Sequence, residues 1–128
     1  TVPDQDPIKL TEAMKEFFRK NLNPEIEWDL KIHGLGDYVV SSPNFKCVKI
    51  AQKAYTDVFG KPCKFSLCGG SIPITAKLAK ATGSQPVLIG TGLMDDNIHA
   101  PNEKFRIESF KKGFLTIARI LDILNKTT

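Results

Sequence analysis

One of the chain's two histidines, His99, lies in the polar stretch Gly92-Leu93-Met94-Asp95-Asp96-Asn97-Ile98-His99-Ala100-Pro101-Asn102-Glu103. Imidazole is the commonest metal ligand and the side chain best poised to move protons near neutral pH. Asp95, Asp96 and Glu103 are acceptors of the kind that hold a ligating imidazole in one tautomer. They are equally of the kind that cap a loop or carry solvated charge. A zinc site needs at least three protein ligands, and nothing near His99 in the chain supplies obvious companions. The residue therefore reads either as a structural or surface histidine, or as one ligand of a site that is incomplete here.

The second stretch with chemical potential is Cys68-Gly69-Gly70-Ser71-Ile72-Pro73. Its glycines allow backbone N–H groups to approach something bound at a helix start, and an anion is the natural guest there. Ser71 suits the N-cap or a hydroxyl contact to that anion, with Pro73 in the first turn, where its missing N–H costs nothing. A tight turn with a serine cap fits the same residues. The pattern is neither a Walker loop nor a dinucleotide fingerprint. Cys68 lacks a base nearby in sequence, and His33, at a strand end beside glycine, is assigned no role.

The elements that must position these residues follow from periodicity. Asp6-Pro7 starts a helix carrying Leu10, Met14, Phe17 and Phe18 and ending near Asn23-Pro24. Residues 25–32 alternate polar and apolar, the mark of a strand with one buried face. Val48, Ala51, Tyr55, Val58 and Phe59 mark a helix stopped by Gly60; residues 64–67 read as a short strand. Ile74, Leu78 and Ala81 lie on a helix stopped by Gly83. Pro86-Val87-Leu88-Ile89-Gly90 has the look of a strand buried on both faces. Phe110, Phe114, Ile117, Ala118, Leu121 and Leu124 predict the core stripe of a long last helix, and the aromatic stripe of the first helix is likewise expected in the core. The alternation of helices and strands predicts an α/β fold, with a boundary near residue 38.

Composition narrows the function classes. A net charge of +4 arises from lysines interleaved with acids, with no clustered basic stripe, which argues against nucleic acid as a partner. No run of eighteen apolar residues exists to span a bilayer, so no membrane partner is expected. Three cysteines without a C-x-x-C pair fit neither a disulfide framework nor a zinc ribbon and point to a reducing, cytoplasmic setting. The first residues show neither a signal peptide nor an initiator methionine, so the chain is expected to begin inside a longer protein.

Taken together, residues 65–73, 86–92 and 95–105 resemble the co-catalytic zinc metallopeptidases, the relatives of carnosinase, cytosolic dipeptidase, succinyl-diaminopimelate desuccinylase and aminoacylase. Gly-Gly-Ser-Ile-Pro followed some two dozen residues later by Ile-His-Ala-Pro-Asn-Glu is far more specific than either motif alone, and Val2-Pro3-Asp4-Gln5-Asp6-Pro7 also looks like the dipeptidase branch. The resemblance implies an α/β chain in which residues 1–38 end an α+β lid, or dimerisation, domain and residues 39–128 form the C-terminal part of the catalytic domain. It implies that His99 is the one metal ligand from this part of the polypeptide, that Gly70 and Ser71 help to hold the substrate carboxylate, and that no catalytic residue lies in this chain. The general base and remaining ligands belong to the family's N-terminal catalytic segment, the partner this chain requires.

The activity implied is hydrolysis of the amide bond of a peptide or acyl amino acid by water bridging two zinc ions, with manganese or cobalt as substitutes, in a homodimer formed through the lid. Many dipeptidase-like members carry Arg-Glu where this chain has Leu67-Cys68, which removes two charges from the implied pocket wall. Alone, the chain is expected to be inactive. The alternative reading is a non-catalytic anion-binding or interaction module of the same fold.

Overall fold

The computed structural model describes residues 1–67 and 72–127. The described residues form four helices: α1 (Pro7–Asn21), α2 (Lys46–Phe59), α3 (Pro73–Thr82) and α4 (Ile107–Asn125). Local chemistry sets most of their ends. Asp6 caps α1 by accepting from the N–H groups of Ile8 and Lys9 at 2.8 and 3.2 Å, with Pro7 at the first helical position. Gly60 and Gly83 end α2 and α3 in the left-handed conformation, with φ of +66° and +64°, which a side chain would oppose. The cap residue of α3 is Ile72, whose carbonyl accepts from Thr75 N–H, so the expected serine cap is displaced by one position.

The helices of the α/β expectation are present, but no described residue lies in a paired strand. A strand exists only through ladder bonds to a neighbour, and residues 25–32 and 86–90 find no such neighbour among the described residues. Most of their apolar side chains are correspondingly uncovered: Ile26, Trp28, Ile32, Leu88 and Ile89 are exposed, as is Phe65 of the expected strand 64–67.

The contacts divide the chain into two units. One comprises Thr1–Val40 with the described part of Cys68–Pro86. In it Trp28 meets Phe18 at 5.8 Å between ring centroids, and Pro73 lies against Gly36. Residues 37–40, 76, 79–80 and 84–86 line a shallow hollow.

The other comprises Ser41–Leu67 and Val87–Thr128, built on the packing of α2 against α4. Val48, Ile50, Ala51 and Ala54 of α2 are buried. The buried residues of α4 are Ser109 and Thr116, and Thr116 returns its hydroxyl to the carbonyl of Lys112 at 2.7 Å. This corrects the expected core. Phe110, Phe114, Ile117 and Leu121 are exposed, as are Leu10, Met14 and Phe17 of α1. Helical spacing shows that an apolar face exists, but another element must lie against it before it becomes core. An ion-pair chain ties the helices, with Asp57 of α2 held by Arg119 of α4 at 2.8 Å and by Lys53 at 3.1 Å, and Arg119 also held by Asp122 at 2.6 Å. No helix among the described residues is long and apolar enough to cross a membrane.

Candidate metal-ligand loop

The loop that carries His99 leaves the segment after Pro86 and ends at α4, and both ends are anchored in the α2–α4 unit. Tyr55 of α2 donates its hydroxyl to the carbonyl of Gly90 at 2.9 Å. Thr91 packs against α4 at Gly113, where a Cβ would stand only 3.2 Å from its Oγ1. Gly113 thus leaves a notch that a larger residue would fill.

Within the loop, Asp96 is the organising side chain, only 1% exposed. One carboxylate oxygen accepts from the N–H of Leu93 at 2.7 Å and the other from Arg106 Nη1 at 2.5 Å. Its backbone is tied as well: its N–H donates to Leu93 and its carbonyl accepts from Lys104 at 2.9 Å. Arg106, the N-cap residue of α4, sends Nη2 to the exposed carboxylate of Asp95. Lys104 lies 3.9 Å from the same carboxylate. The guanidinium hydrogen bond holds the Asp95 carboxyl below its ordinary range and raises Arg106 in turn. Every buried polar side-chain atom among the described residues has a partner, so the loop is irregular without being unsatisfied.

Three residues of the loop have positive φ: Asn97 at +55°, His99 at +63° and Asn102 at +61°. Asparagine tolerates that region through its short polar side chain; a histidine held there stores roughly 1–3 kcal/mol of backbone strain. His99 is exposed, and its imidazole makes no hydrogen bond among the described residues. The two aspartates that could have held the imidazole in one tautomer are otherwise engaged, since Asp96 has both oxygens occupied and Asp95 faces Arg106. Glu103 lines a neighbouring hollow of about 520 Å³ with Gly92, Asp96, Ile98, Lys104 and Phe105, and His99 is not among its lining. No group of three or more metal-ligating side chains occurs among the described residues. The donor set that fits a divalent metal is therefore one imidazole, with both ring nitrogens unbonded.

Gly70 and Ser71 of the expected carboxylate site, with Cys68, lie outside the described residues. Leu67 is fully exposed, and His33 is exposed as well. Reading the residues alone did not single out Arg106, Tyr55 or Gly113. An arginine directly ahead of a helix and ten residues past an aspartate is too common a pattern to mark a pair.

Residues 3–123 match the model of peptidase family M20/M25/M40. The chain belongs to that family. This M20 chain is 34% identical over 130 residues to the Cys-Gly metallodipeptidase of Saccharomyces cerevisiae, a match covering 99% of the chain and 27% of that protein. It is 32% identical over 129 residues to the Cys-Gly metallodipeptidase of Candida albicans, covering 98% of the chain and 27% of the relative. Its fold matches the solved structure of the yeast di-peptidase Dug1p with a TM-score of 0.81 and 35% identity, over 94% of the chain and 26% of that structure. The M20 chain thus spans about a quarter of the length of the relatives it matches.

Proposed function

We propose that this chain is the C-terminal segment of a zinc-dependent dipeptidase or related amidohydrolase, with residues 1–38 ending a lid domain and residues 39–128 ending the catalytic domain. The observation that carries the reading is His99, an exposed and unbonded imidazole in a strained conformation on a loop whose buried side-chain polar atoms all have partners, in a chain 34% identical to a Cys-Gly metallodipeptidase. In this reading His99 is the one metal ligand the segment contributes, while Gly70 and Ser71 hold the substrate carboxylate at the start of α3. Zinc, when bound, supplies a Lewis acid that activates water and polarises the scissile carbonyl.

The chain's own residues do the positioning. Asp96 and Arg106 fix the loop, and the imidazole of His99 is exposed and takes no part in the ties that hold its neighbours. The other ligands and the general base are assigned to the portion of the protein that the relatives carry and this chain does not. The uncovered apolar faces of α1 and α4, together with the exposed Trp28, Ile32, Leu88 and Ile89, are what that portion would cover. A Cys-Gly-like dipeptide is the proposed substrate, by similarity to the named relatives.

The test uses the full-length protein. His99→Ala is expected to lose metal from one of two positions and to lower dipeptide hydrolysis by orders of magnitude, measured by elemental analysis and turnover. Full metal content with full activity in that variant would remove His99 from the site. The chain expressed by itself is expected to bind zinc no better than one surface imidazole, measured by calorimetric titration.

A further inference from the structure

Arg106 and Asp96 stand apart from the other charged pairs of the described chain. The remaining ion pairs join side chains that are both at least 30% exposed, whereas Asp96 is 1% exposed and has each oxygen assigned to a different donor. The two donors come from opposite ends of the loop: Leu93 lies six residues before His99, and Arg106 seven residues after it. The second arm of the guanidinium reaches Asp95, so one arginine holds two consecutive carboxylates. Arg106 is also the residue on which α4 begins, which joins the clamp to the helix that carries Gly113 and its notch for Thr91. The segment closed by these ties contains all three left-handed residues 97, 99 and 102.

A strained conformation persists only where its surroundings over-determine it, and here the over-determination is the clamp. Neither carboxylate touches the imidazole, so they act on His99 through the backbone and not by hydrogen-bonding its ring.

Resting on the reading of His99 as a metal ligand, we propose that Asp96 and Arg106 are positioning residues that hold the backbone of residues 97–102 in the one conformation that presents the His99 imidazole. Charge alone does not perform this role. A planar fork spans two carboxylates at fixed angles, which a lysine ammonium cannot do.

The experiment measures zinc affinity in the full-length protein by competition with a chromogenic chelator, beside the visible absorption of the cobalt-substituted protein. Arg106→Gln and Asp96→Asn are each expected to weaken zinc 10- to 100-fold, the usual scale for a group that orients a ligand. The position weakened is the one that His99→Ala empties. Both are also expected to alter the cobalt bands, a change that loss of global stability alone does not produce in the folded fraction. Arg106→Lys should recover only part of the affinity.

If His99→Ala empties a metal position while Arg106→Gln and Asp96→Asn bind zinc as the wild type does with unaltered cobalt spectra, the positioning role is wrong and the ligand reading stands. If His99→Ala keeps both metals, the ligand reading falls and takes this inference with it. Should Arg106→Gln and Asp96→Asn fail to fold, the exposed Asp95→Asn decides: weaker zinc at the same position supports the clamp, and wild-type affinity overturns it.

Discussion

The loop from Gly92 to Arg106 and the stretch from Glu27 to Val40 are both irregular, yet they satisfy their polar groups in different places. In the loop, Asp96 closes on Leu93 and Arg106, Lys104 N–H returns to Asp96, and Ala100 N–H returns to Asn97. In the other stretch the described backbone makes one hydrogen bond, accepted by Gly36 from the hydroxyl of Thr1. The first is largely self-sufficient, because turns and the buried carboxylate of Asp96 complete it locally. The second alternates polar and apolar residues through residue 32 as a strand does and leaves most of its backbone donors and acceptors open. Irregular backbone is therefore not one kind of structure: one stretch is a finished scaffold, the other half of an unmade pairing.

The sharpest way to break this comparison is amide exchange. In the isolated chain, the N–H groups of Asp96, Ala100 and Lys104 are expected to exchange far more slowly than those of residues 27–40, by orders of magnitude if the unit is folded. In the full-length protein, residues 27–32 should become protected and the loop should change little. Equal exchange in both stretches of the isolated chain would erase the distinction.

Next in size is the removal of the loop's organiser. Asp96→Ala leaves the Leu93 N–H and the Arg106 guanidinium without their acceptor, and a loss of about 2–3 kcal/mol is expected from a buried charged hydrogen-bond partner. The shift of the urea midpoint in the full-length protein measures it. An equivalent change in the other stretch, Asp29→Ala, should move the midpoint by less than about 0.5 kcal/mol, because its carboxylate is exposed and only 4.0 Å from Lys31.

The notch at Gly113 gives a smaller, two-sided effect. Alanine there gains roughly 1 kcal/mol of helix propensity but places a Cβ 3.2 Å from Thr91 Oγ1, so Gly113→Ala is expected to fall within about 1 kcal/mol of neutral. Gly113→Leu cannot be absorbed by a small shift and should cost about 1–3 kcal/mol. A stabilised leucine variant would mean that Thr91 does not seat against α4.

The smallest expected effect is the acid dependence of the α2–α4 ties. The Asp57 carboxyl is held below its ordinary value by Arg119 and then Lys53, and that of Asp122 by Lys126 and then Arg119. A carboxyl depressed in the folded state contributes stability above its unfolded value, near pH 4, and loses it as the pH falls further through the folded value. Thermal midpoints should be flat from pH 7 to about 5 and fall below about 4. Because these pairs are exposed, 1 M salt should flatten the acid limb. A decline beginning near pH 6 would assign the dependence to a histidine instead.

The family was legible in the motif pair around the loop, which resembled the zinc peptidases, whereas the residue types alone left His99 open between a metal ligand and a structural or surface histidine. What Asp95 and Asp96 do was not legible. Their types allow a contact to His99, a loop cap or a solvated charge, and the choice fell to Arg106, ten residues beyond Asp96, which no short-range pattern names.

The sequence by itself determined the helices and several of their limits, because an Asp6 cap, a proline at a first turn and the glycines 60 and 83 act on backbone groups only a few residues away, although α1 stops at Asn21, short of the expected Asn23-Pro24. It also determined that α4 has an apolar face. Only the tertiary structure decided which face of α4 is buried, the one bearing Ser109, Gly113 and Thr116, and which partners take the two oxygens of Asp96. The physical reason is range. A cap is completed within one turn of chain, whereas burial and ion pairing depend on which distant segment arrives, and periodicity carries no address for it.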